Sequence, residues 1–92
     1  MPNRPHRTIV KEHAFEKQLR ALHGDLRRAD ELIEGIEEIL SRNPELGVLV
    51  VEPIWRVGSR LGQGLIPVTV FYTFNKETVY LLAIKKSELA AD

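Results

Sequence analysis

The chain has 92 residues, 43% of them hydrophobic and 28% charged, and its 13 Lys and Arg balance 13 Asp and Glu. That length holds one core, and zero net charge excludes bulk attraction to nucleic acid, so any RNA contact must come from a local cationic cluster. The absence of cysteine excludes a disulfide scaffold and thiolate chemistry.

The expected organisation is one domain over residues 1–92, with a loose tail at 1–7, a core at 8–86 and a second tail at 87–92. The first stretch, MPNRPHRTIVKEH, is basic but has no apolar run long enough for a signal peptide, and apolar runs elsewhere are only strand-length. The expectation is a soluble, unexported, cytoplasmic protein that does not enter the membrane.

In chain order, residues 8–10 form a β-branched run suited to an edge strand. Phe15, Leu19 and Leu22 recur at helical spacing over residues 12–23, with Gly24 as a C-terminal cap. A second helix follows, because Leu26, Ala29, Ile33, Ile36 and Leu40 step by three and four, and Leu32 and Ile39 widen the stripe. Asp25 is placed to cap its start, and Asn43 before Pro44 ends it. Asp30, Glu31, Glu34, Glu37 and Glu38 lie off the stripe and read as a solvated acidic face.

Beyond Pro44 the pattern becomes extended. Residues 48–51 and 54–57 are strand-like on either side of Pro53, and residues 68–74 and 78–84 form a hairpin across a polar turn. The fold class is α+β, with an N-terminal helical hairpin packed on a small, mainly antiparallel β-sheet.

Candidate sites are few. The glycine-rich stretch GSRLGQG at residues 58–64 lacks the GK[ST] ending of a phosphate-binding P-loop and reads first as a flexible strand connection, with a loop that positions Arg60 beside an RNA backbone as the alternative. His6, His13 and His23 are too scattered for a metal site, and no Ser, His and acid stand at a nucleophile's spacing. Trp55 and Tyr72 read as packing residues before base-stacking ones. Arg56, Arg60, Lys85 and Lys86, if they converge, form the one local cationic cluster available.

The order of a strand, a helical pair ending in N-P, then I-W-R-V, V-T-V-F-Y-T-F, a polar turn and T-V-Y-L-L-A-I resembles the RelE/ParE superfamily of toxins from type II toxin-antitoxin systems. The resemblance spans residues 8–86. It implies either metal-independent cleavage of messenger RNA on the ribosome, as in RelE-like toxins, or inhibition of DNA gyrase, as in ParE-like ones. A cognate antitoxin protein is implied as partner, and no cofactor. Under this resemblance Arg56, Arg60, Lys85 and Lys86 supply the cationic site and Tyr72 supports it, while Thr69 stands where the ribonucleases often carry an arginine. A non-enzymatic binding module on the same fold is the alternative.

Overall fold

The computed structural model of the chain describes residues 6–22, 26–61 and 66–87. Strand β1 (Thr8–Lys11) is followed by helices α1 (His13–Leu22) and α2 (Leu26–Arg42), a 3-10 turn at Pro44–Leu46, and strands β2 (Val48–Val51), β3 (Ile54–Leu61), β4 (Ile66–Phe74) and β5 (Thr78–Lys86). The strands form one mixed sheet in the order β1-β5-β4-β3-β2. Three pairings are antiparallel, and β1 joins β5 in parallel. No helix among the described residues is long and apolar enough to cross a membrane.

One face of the sheet meets both helices. Phe15 and Leu19 of α1 and Ile33, Ile36 and Leu40 of α2 are buried with Val68, Val70 and Tyr72 of β4 and Val79, Leu81 and Ile84 of β5. Each large side chain taken fully out of water contributes about 1.5–3 kcal/mol, which places most of the available stability in this layer. Ile39, expected on the helical stripe, is exposed. Leu26, Ala29 and Leu32 lie on α2 with their side chains outside the described residues, as do Gly24, Asp25 and the side chain of Asp30.

The acidic face of α2 is not wholly solvated. Glu37 Oε2 is buried and lies 3.2 Å from Lys11 Nζ of β1, an ion pair whose geometry falls short of an aligned hydrogen bond. Glu31, Glu34 and Glu38 are exposed as expected.

Two local devices shape the sheet. The turn after β4 is closed by Asn75, whose Oδ1 accepts the N–H groups of Glu77 and Thr78, both at 2.8 Å. On β5, Phe71 opposes Ala83 and Tyr72 opposes Leu81, so Leu82 is an extra residue without a Cα partner on β4. This β-bulge resets the alternation of β5: Val79 and Leu81 point into the core, and after the bulge Ile84 does so in turn. The Ile84 N–H then donates to Gln18 Oε1 of α1 at 2.9 Å, beyond the point where β1 stops pairing at Leu81.

The stretch expected to loop between strands is mostly strand. Residues 58–61 continue β3, paired with β4 from Gly58 opposite Thr69 to Leu61 opposite Ile66. Ladder hydrogen bonding to a long partner outweighs the local preference of one glycine for a turn. Gly62 and Gly64 lie outside the described residues. The expected tail is anchored at its end: Arg7 donates its backbone N–H to the Ser41 carbonyl at 2.9 Å and its Nε to the Asn75 carbonyl at 2.8 Å. His6 Nε2 accepts from Arg42 Nε at 3.0 Å.

Candidate nucleic-acid interface on the open sheet face

The face of the sheet away from the helices carries the other half of each strand's alternation. On β4, Val68, Val70 and Tyr72 are buried, and Thr69, Phe71 and Thr73 between them are only partly covered. Cross-strand register then sets Arg56 of β3 opposite Phe71, and Lys85 of β5 opposite Thr69. Directly opposed residues share a face, so Arg56 and Lys85 flank Phe71 and Thr69 on the open side.

Together with Lys86 and Ser87 these residues line a concavity of about 560 Å³. Lys85 Nζ sits 5.7 Å from the centroid of the Phe71 ring, within the range of a cation–π contact. The Thr69 and Ser87 hydroxyls lie 2.8 Å apart in a hydrogen bond, and the Ser87 N–H donates to the Pro67 carbonyl at 2.9 Å. The ladder therefore runs one residue past β5 and holds Lys85, Lys86 and Ser87 at the rim.

Three of the five expected site residues, Arg56, Lys85 and Lys86, are brought together. Arg60 is on β3 opposite Pro67, on the same face by alternation but four residues further along, and it does not line the concavity.

Tyr72, expected to support the site, does not line this concavity. It is fully buried on the helix-covered face, its hydroxyl donating to the Pro44 carbonyl at 2.5 Å and accepting the Gly47 N–H at 3.2 Å. Burial pushes its hydroxyl above the ordinary tyrosine range, and the bond from Gly47 pulls it partly back. A Cβ on Gly47 would collide with this hydroxyl and with the Arg56 carbonyl oxygen, so only glycine fits there. Trp55 is half-buried and packs on Phe74 with ring centroids 5.4 Å apart, in agreement with a packing role.

The aromatic ring available to a ligand is Phe71, which the composition-level reading passed over. Its signal is present in the run V-T-V-F-Y-T-F: the phenylalanine shares its parity with two threonines, and Tyr72 shares its own with two valines.

Cations, hydroxyl donors and one aromatic ring on an open concave surface suit a single-stranded nucleic acid. Arg56, Lys85 and Lys86 can face phosphate oxygens, the two hydroxyls can hydrogen-bond to phosphate or sugar, and Phe71 offers a stacking platform. No family model and no curated protein matches the chain closely enough to place it.

Proposed function

We propose that the chain is a toxin-like growth inhibitor of the RelE/ParE kind, with its two helices forming that fold's hairpin, held in check by a cognate antitoxin. Its open sheet face engages messenger RNA on the ribosome. The observation that supports this reading is the gathering of Arg56, Lys85 and Lys86 around Phe71 on one concave surface of a chain with no net charge.

In the cleavage that the resemblance implies, a ribose 2′-oxygen attacks the adjacent phosphorus and the bond to the 5′-oxygen breaks. The products are a 2′,3′-cyclic phosphate and a 5′-hydroxyl. One proton leaves the 2′-hydroxyl and one is delivered to the departing 5′-oxygen. Arg56 stabilises the charge that builds on the phosphoryl oxygens. Lys85 and Lys86 are the groups here able to exchange protons, and Thr69 and Ser87 orient the chain of phosphates.

A second reading, inhibition by binding without cleavage, is favoured by a specific observation. None of the described residues lining the concavity is a histidine, a carboxylate or a tyrosine. A gyrase-directed inhibitor or an inactive member of the fold needs no such group.

Induced expression in a bacterium, with growth followed and messenger RNA ends mapped by primer extension, separates the readings. The first predicts arrest with new ends in translated messages, relieved by Arg56→Ala with Lys85→Ala. Arrest with intact messages supports the second reading, and an unchanged arrest by the double variant rejects the site. Absence of arrest rejects the growth-inhibitor reading.

A further inference from the structure

Strand β2 stands at one end of the sheet and, among the described residues, pairs on one side only, with β3. Its four side chains are all apolar and all exposed: Val48 by 55%, Leu49 by 45%, Val50 by 48% and Val51 by 63%. Val48 and Leu49 point to opposite faces. The register with β3 shifts between Leu49 and Val51, leaving Val50 without a Cα partner, yet apolar surface is open on both faces of β2. Natural edge strands are blunted by a lysine, a proline, an inward charge, a bulge or short length; β2 is short and irregular but carries no blocking charge. Residues 46–51 hold no charge of either sign. Acidic residues stand just outside them, Glu45 before and Glu52 after, and both are exposed.

We infer that the outer edge of β2 takes an extended segment of a different protein chain as a sixth strand. The segment is a run of about five β-branched apolar residues with Lys or Arg at both ends. Main-chain hydrogen bonds complete the open ladder, and apolar side chains cover those of β2 on both faces. The terminal cations meet Glu45 and Glu52 and set the register.

A second copy of this chain suits the edge poorly. Antiparallel pairing of β2 with itself about a two-fold axis between Leu49 and Val50, the register that opposes all four residues, sets Glu52 of each copy opposite Gly47 of the other, two positions from its Glu45. Two carboxylates are thereby gathered at each end of the pair, and like charges brought together across paired strands are unfavourable. The inference stands independently of how the open face is used.

The test titrates the ¹⁵N-labelled full chain with two blocked peptides, each a short valine–threonine–isoleucine run, one ended by lysines and the other by glutamates. The lysine-ended peptide is expected to shift the amides of β2. It should bind about three- to ten-fold more tightly than its glutamate-ended counterpart at low salt, the advantage of two exposed ion pairs. Glu45→Gln with Glu52→Gln should bring that ratio close to one, and Val50→Lys should weaken both peptides while preserving the amide spectrum of a folded chain. Equal affinities for the two peptides, or the absence of shifts at β2, would overturn the inference. So would a dimer of the free chain in sedimentation that Val50→Lys dissolves, since that outcome gives the edge to a second copy.

Discussion

At the scale of single residues, Tyr72 determines more of the structure than any cation of the site. Its hydroxyl joins β4 to the turn between α2 and β2 by donating to Pro44 and accepting from Gly47. Tyr72→Phe leaves a carbonyl and an N–H without that partner, and the expected loss is about 1–3 kcal/mol in chemical denaturation. For a chain of this length, whose total stability is on the order of 5–14 kcal/mol, that is a large fraction.

The same residue gives an alkaline signature. The folded-state value of Tyr72 is raised, so its stabilising effect is complete below the unfolded tyrosine value near pH 10 and is lost as pH rises toward the folded value. Wild type should therefore lose stability above about pH 10 with a slope that Tyr72→Phe lacks, measured by urea midpoints across that range. The alternation of β4 made the core position of this tyrosine legible. Its partners were not, because a contact from Tyr72 to Pro44 spans 28 positions and leaves no local pattern.

At the scale of elements, β5 was legible as a strand and illegible in its detail. Strict alternation from Val79 and Leu81 would carry Ala83 and Lys85 inward, burying a lysine. The bulge at Leu82 reverses this and presents Lys85 to the open face opposite Thr69. A hint lay in four consecutive apolar residues, Leu81, Leu82, Ala83 and Ile84, which no period of two explains.

Gln18 helps hold the reset strand by accepting the Ile84 N–H. Gln18→Ala should cost about 0.5–1.5 kcal/mol and speed hydrogen exchange at the Ile84 amide selectively, which heteronuclear exchange spectra would resolve. If exchange at Ile84 is unaltered, Gln18 does not support the bulge. The helices were more legible, since heptad-like spacing announced Ile33, Ile36 and Leu40. The ion pair of Glu37 with Lys11 was hidden because it depends on β1 lying beside α2.

At the scale of the whole molecule, the charge balance constrains how the site can work. The chain is neutral overall, so under the proposed reading attraction to RNA has to come from the three cations gathered on one concave patch and not from a general field. Neutralising three phosphates of a single strand gives a plot of log affinity against log salt with a slope of about −2. Fluorescence anisotropy of a labelled oligoribonucleotide between about 50 and 200 mM salt measures it, and a slope near zero would remove RNA from the candidates for this face. The α+β layering and most strand positions could be read from pattern alone. Which three of the expected cations converge could not, because convergence is a property of register between strands far apart in sequence.

The bulge at Leu82 has a further consequence for how this chain tolerates change. Ile84, which seals the core, and Lys85, which serves the surface, sit in phase with their tasks because Leu82 is held outside the ladder ahead of them. Substitutions in β5 alter one side chain at a time, and deletion of Leu82 would only close the bulge. One further residue inserted after Ala83 would instead exchange the tasks of every position beyond it, sending a lysine inward and an isoleucine outward. Such a variant should lose cooperative melting altogether. The length of this strand, counted in residues, is thus as much a part of the site's specification as the identity of its lysines.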